Sequence, residues 1–443
     1  MTAVRELPAL EANRELGVPP TIERTLSNGL TVIVIERHSV PLVEVRLRVP
    51  FGRSTLDAGY VARAALMSQT LFSGTAEMST VDIAAALQTV GGALSAGVDA
   101  DRLLIAGNGL ASGLDRVLGI MSDVLHGATY PEQEVTTERS RLLDRIQVAQ
   151  SQPAHIVRVA LLKRVYGEHP YAVQTPLPDD VAPLVSEDLA GLHAARLRPD
   201  GAALVVVGDV EAEAVLDLAE SVLGSWAGAS PGESVPPTPT LEGGPIVLVD
   251  RPGSVQSSLR LALPAVGRTH PDHACLQLAN FIFGGYFSSR WTENIREDKG
   301  YTYSPHSIVE HSIAGSSIIL SADVATDVTA PALLETVYEL GRLANLPPTV
   351  DELEQARQYA LGSLLLGMST QAGLAGLAST YVGYGLRLEF LAEHAARLAA
   401  VTREDIQTAA ARYLAPANAA TVVLGDASIV DGPLSTLAHV VRA

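Results

Sequence analysis

The chain is short of cysteine, of basic charge and of long apolar runs, and each shortage excludes something. Among 443 residues there is one cysteine, Cys275. It rules out an internal disulfide and most cysteine-based metal sites, and a reducing, cytoplasmic setting is the expectation. Lys and Arg number 31 against 49 Asp and Glu, a formal net charge of −18. Nucleic-acid surfaces need clustered cations to displace the counterions of phosphate, and anionic lipid makes a similar demand, so no nucleic acid and no membrane is expected as a partner. No apolar run approaches the ~18 uninterrupted residues of a membrane-crossing helix. Residues 1–20 lack the apolar stretch of a secretory signal.

What remains is globular in composition, 47% hydrophobic and 18% charged. Residues 224–244, GSWAGASPGESVPPTPTLEGG, lose all hydrophobic periodicity and read as a linker near the middle of the chain. The two sides of it repeat. PDGAALVVVGD at Pro199 parallels PANAATVVLGD at Pro416, at a constant offset of 217 residues. RLRVP at Arg46 parallels RLALP at Arg260, at an offset of 214. Nearly equal offsets in the same order indicate duplication of a large unit. The expected organisation is an N-terminal extension (1–21), a first domain (22–223), the linker (224–244) and a second domain (245–443). Strand patterns cover residues 30–35, 42–49, 103–106 and 318–324. Helical patterns cover a segment capped by Ser79 or Thr80 and ending at Gly91-Gly92, then residues 110–126, 272–283, 288–298 and 350–368. Strands and helices in runs predict an α+β fold, with each half a mainly antiparallel sheet carrying helices on one face.

Several motifs carry no chemistry in their context. The GxSxG match at residues 228–232 lies in the linker, where no strand-to-helix elbow forms. Gly107-Asn108-Gly109 lacks the third glycine of a dinucleotide fingerprint and reads as a turn. In His270-Pro271-Asp272-His273 the aspartate reads as a helix cap. His306 and His311 sit five apart, on opposite faces of a strand, so they do not ligate jointly. A denser cluster runs FGGYFSSRWTENIREDKGYTYS from Phe283. Arg296 and Tyr303 flank a helix-to-strand turn in it, and together they suit a carbonyl or an oxyanion. The plain alternative is an Arg paired with Glu293 or Glu297 and a Tyr packed on the core.

That segment resembles the second-half signature of the pitrilysin-type zinc peptidases, the family of insulysin and the mitochondrial processing peptidase. LSNGLTV at Leu26, YGEHPY at Tyr166 and the repeated Gly-Asp strand ends resemble the same family. The resemblance implies a HxxEH zinc motif on a helix before a Phe-x-Gly-Thr segment, here Phe72-Ser73-Gly74-Thr75. Its three positions are Ala65, Ser68 and Gln69, and the third ligand position is Arg145. Ala65 has no donor, Gln69 is a poor zinc ligand, Ser68 is no general base and Arg145 repels a cation. Glu138 matches a further family glutamate and alone holds nothing. No metal is expected in this chain. Arg296 and Tyr303, by contrast, match the family positions that hold and polarise substrate. Some bacterial members are two-chain enzymes in which one subunit carries HxxEH and the other only the Arg/Tyr pair, and this sequence resembles the second. The implied partners are a homologous HxxEH subunit holding zinc and a peptide substrate. The other reading is a non-catalytic structural or peptide-binding protein on the same scaffold.

Overall fold

A computed structural model describes residues 17–229 and 232–443. Most of the N-terminal extension, and Ser230 of the GxSxG match, lie outside the described residues. The duplicated apolar segments form two six-stranded sheets. The first contains β1 (Ile22–Thr25), β2 (Thr31–Glu36), β3 (Leu42–Pro50), β4 (Ala93–Val98), β5 (Arg102–Leu110) and β6 (Ala203–Gly208), in the order β1-β2-β6-β3-β5-β4. The second contains β7 (Ile246–Asp250), β8 (Gln256–Pro264), β9 (His306–Ser312), β10 (Gly315–Ala325), β11 (Ala420–Gly425) and β12 (Val440–Arg442), in the order β12-β7-β11-β8-β10-β9. The repeat therefore recurs in topology: β6 and β11 begin at the two alanines related by the 217-residue offset, and each pairs antiparallel with its counterpart of β3 or β8. One edge differs. The first sheet closes with β1 antiparallel to β2, the second with the C-terminal β12 parallel to β7.

Strand alternation sorts the core. Val43, Val45, Leu47 and Val49 of β3 face the helices of the first half, with Leu204 and Val206 of β6 beside them. Leu259, Leu261 and Leu263 of β8 do the same in the second half, over Phe283 and Trp291. So far this is the expected one-faced packing. The correction concerns the opposite face, which each half covers with a helix of the other. Helix Pro153–Tyr166 lays Val157 and Leu161 on Ala262, Ile319, Ala420, Val422 and Leu424 of the second sheet. Helix Gln371–Val382 lays Leu374, Ala375 and Tyr381 on Ile33, Ile35, Val205 and Val207 of the first. Strands such as β6 and β11, buried on both faces, carry apolar side chains at nearly every position, Thr421 excepted, which is why ALVVVG and ATVVLG do not alternate.

Among its described residues the linker forms no regular element, and it is tied to both halves. Pro236 O faces His169 Nε2 at 2.8 Å, Thr238 N–H donates to Ala314 O at 3.2 Å and Gly243 O accepts from Arg164 at 2.8 Å. A second correction concerns Gly107-Asn108-Gly109, which lies inside β5, paired to β3 and β4, and is not a turn. A Cβ on Gly107 would sit 2.5 Å from Leu94 Cδ2, so glycine is what admits the neighbouring strand's side chain. Helix Thr80–Thr89 starts as expected, with a full capping box: Ser79 Oγ accepts from Asp82 N and Asp82 accepts from Ser79 N. Ser79→Ala is expected to cost about 1 kcal/mol in chemical denaturation, since one helix-end donor loses its partner. Among the described residues no single helix is long and apolar enough to cross a membrane.

Candidate functional site

The segment that carries Arg296 and Tyr303 is anchored before it reaches them. Phe281–Gly285 and Glu293–Asp298 are π-helical, a widened form frequent at functional sites. Between them Trp291, fully buried, stacks on Phe283 with centroids 5.4 Å apart and donates its indole N–H to Thr336 Oγ1 at 3.0 Å. Arg290 forms a two-pronged pair with Glu352, at 2.5 and 2.8 Å. Burial works against the Glu352 carboxylate, but the Arg290 bonds and the Thr349 backbone N–H outweigh it and hold its pKa at about 2. Asn294 donates to Glu335 and Glu339 at 3.0 and 2.9 Å. Gly300, at φ +63°, then reverses the chain, a conformation that favours glycine. Thr302 pins the return by donating to Asp323 O at 2.7 Å.

Past that anchor the two residues of interest meet. The Arg296 guanidinium carbon lies 5.0 Å from the Tyr303 ring centroid and 4.5 Å from that of Phe287, so two aromatic faces hold it in place. Its Nε reaches Glu297 at 3.2 Å, the pairing anticipated in the plain alternative. Tyr303 departs from that alternative: it is 81% exposed and packs on no core. Both residues line an open cleft of ≈ 670 Å³ with Gln256 and Asp323. Guanidinium and phenol donors thus face solvent together on a rigid base.

The four positions to which the resemblance assigns the zinc motif also come together. Helix Ala58–Thr70 carries Ala65, Ser68 and Gln69, and helix Glu132–Ser151 carries Arg145. The Arg145 guanidinium donates directly to Gln69 Oε1. Ser68, buried, turns its hydroxyl back onto Ala65 O at 2.9 Å. Glu138 is bound to Arg141 at 2.5 Å. A cation and an amide, bonded to each other, do not fit a zinc ion, which needs deprotonated N, O or S donors on three sides. No hydrogen bond or ion pair joins this set to Arg296 or Tyr303 among the described residues.

Nor do the other titratable motifs gather a metal set. Among the described residues no group of three or more His, Cys, Asp or Glu is placed to hold one. Asp272 stands at a helix start without capping it; its carboxylate instead accepts from Tyr413 Oη at 2.6 Å and Arg412 at 3.0 Å. Ser289 also stands at a helix start without bonding its backbone, and donates to Thr292 Oγ1. Sequence reading missed a different cluster. His273, His311 and His394, from two helices and β9, pack ring against ring around Arg268. Nothing in the spacing signals it, because the three lie far apart in the chain.

Comparisons with known proteins give the family and the fold. Residues 31–179 match the model of the insulinase family, peptidase family M16, and residues 183–359 match that of the peptidase M16 inactive domain. An uncharacterized zinc protease of Mycobacterium leprae is 24% identical over 382 residues, 85% of this chain and 84% of that protein. The mitochondrial-processing peptidase subunit beta of Rattus norvegicus is 24% identical over 272 residues, 61% of this chain and 55% of that one. Among solved structures, a peptidase M16 inactive domain from Pseudomonas fluorescens superposes with a TM-score of 0.84 at 22% identity, covering 92% of this chain and 98% of that one. The periplasmic protease PqqL from Escherichia coli gives 0.78 at 17% identity, covering 96% of this chain and 48% of that one. The chain belongs to the M16 peptidase family.

Proposed function

We propose that this chain is the metal-free subunit of a two-chain zinc metallopeptidase. It supplies Arg296 and Tyr303 to a partner that carries HxxEH and the zinc. The observation that carries the reading is the Arg145–Gln69 bond, which puts a cation where the family resemblance puts a metal ligand. The intact Arg296–Tyr303 pair, open to solvent, supports the other half of the reading. In the paired enzyme the guanidinium and the phenol would donate to the peptide backbone and to the oxyanion that forms on the attacked carbonyl. They need no reorganisation to do so, since aromatic stacking already fixes the guanidinium. The single cysteine favours a cytoplasmic setting for this chemistry.

The test is to mix the purified chain with the HxxEH-bearing homologue, zinc and a peptide panel. Cleavage by the mixture, and by neither chain alone, is the expected result; cleavage by this chain alone overturns the reading. Co-purification without cleavage would favour a structural role on the same scaffold. Metal content gives an independent check. After exposure to equimolar zinc and gel filtration, the chain should retain well under one zinc per molecule by elemental analysis. Stoichiometric zinc that is lost on Gln69→Ala would contradict the metal-free assignment.

A further inference from the structure

The Arg268 cluster lines a pocket of ≈ 260 Å³ between helix His273–Asn280 and the edge strand β9. Its polar side is rich in donors and has no acid. None of the residues lining it is an Asp or Glu, although the chain as a whole is strongly acidic. Arg268 stacks near Tyr381 and Tyr384, 5.7 and 5.5 Å from their centroids, and its buried Nε has no hydrogen-bond partner. His273, only 5% exposed, also lines the pocket and leaves its buried Nδ1 without a partner. Gln277, also in the lining, accepts from His394 Nε2 through Oε1 at 2.6 Å, a bond that does not use its amide N–H groups. The rest of the lining sets Leu276, Phe281, Ile308 and Val309 beside the neutral polar groups of Asn280, Ser307 and His311.

We infer that this pocket binds a small monocarboxylate with an apolar body. An ionised carboxylate only accepts, so it satisfies a guanidinium, an imidazole and an amide N–H at once. One fixed positive charge calls for one negative charge. A metal cation is disfavoured by the same guanidinium, and a strongly charged polyanion by the apolar wall. A neutral ligand would leave Arg268 without a counter-charge. The carboxylate can belong to a free acid or to the C-terminus of a peptide. Neither source depends on a peptidase partner, so the inference stands apart from the proposed function.

The test is calorimetric titration of the purified full chain with benzoate and, separately, with acetyl-Ala-Phe, each against its amide. One or both acids should bind, their amides at least 10-fold more weakly, and Arg268→Met should weaken the acid at least 10-fold, as expected for loss of a charge-assisted bond. Binding of benzoate identifies a free acid as the ligand, and binding of the peptide acid alone identifies a C-terminus. Gln277→Leu, a milder change, should weaken binding in the same direction should Arg268→Met fail to fold. No binding by either acid, or equal binding of acid and amide, overturns the inference.

Discussion

Arg296→Ala and Tyr303→Phe are each expected to lower peptide turnover by the paired enzyme roughly 10²-fold, by analogy with loss of one oxyanion donor. That is about 2.7 kcal/mol of transition-state stabilisation. The structure makes these clean substitutions. Tyr303 is 81% exposed, and Arg296 bonds only its neighbour Glu297 and stacks on two aromatic rings near the surface. Stability should therefore change by no more than ~0.5 kcal/mol, which a melting curve checks. Because the guanidinium stacks on the phenol ring, the two losses should not add in the double variant. Tyr303→Phe keeps the stack and removes the hydroxyl alone, so it separates proton donation from positioning. Undiminished turnover in both single variants would make the pair structural and remove the catalytic half of the proposal.

The second large effect is on acid stability. Burial, aided by the neighbouring imidazoles and by Arg268 and Arg397, pushes the pKa of His273 down to about 2. Burial and the same guanidinium push His311 to about 3, and burial with Arg268 and Arg397 pushes His394 to about 4. In the unfolded chain each returns to about 6.5. The folded state thus keeps the three neutral while the unfolded state takes up protons below pH 6.5. Stability is complete above that pH and falls as pH drops toward the folded values. Between pH 7 and pH 5 each histidine is expected to remove about 2 kcal/mol, a large share of the 5–15 kcal/mol typical of a domain. Carboxylates such as Glu352, held at about 2, contribute their loss only below about pH 4.5, so the window belongs to the histidines. Denaturant midpoints measured from pH 7.5 to 5 check this, and His311→Gln should remove about 2 kcal/mol of the pH dependence. A midpoint unchanged over that range would mean that the cluster is hydrated and not buried neutral. A carboxylate in the Arg268 pocket would oppose the loss, because it favours the imidazolium form.

Much of the fold was legible because it rests on local patterns. The 217-residue repeat already related β6 to β11, and a cap at Ser79 or Thr80 already placed a helix start, which the structure puts at Ser79. The runs ALVVVG and ATVVLG also held a signal left unread: apolar residues on both faces imply two covers, and a half has helices enough for one. The turn assigned to Gly107-Asn108-Gly109 failed because glycine's tolerance for close approach and its tolerance for tight turns leave the same mark in a sequence.

By itself, then, the sequence determined the duplicated α+β halves and the residue types at the positions the family resemblance marks, Ala65, Ser68, Gln69, Arg145, Arg296 and Tyr303, since each of these depends on residue identity at a fixed place in a local pattern. Only the tertiary structure decided that Arg145 bonds Gln69 across two helices, that each half lends a helix to the other, and that three distant histidines gather beside the Arg268 guanidinium. The reason is physical. Periodicity states which side of an element is apolar, but which surface covers it depends on shape and volume across the whole chain. The same packing decides which polar atoms find partners, as Arg145 does at Gln69 and the Nε of Arg268 does not.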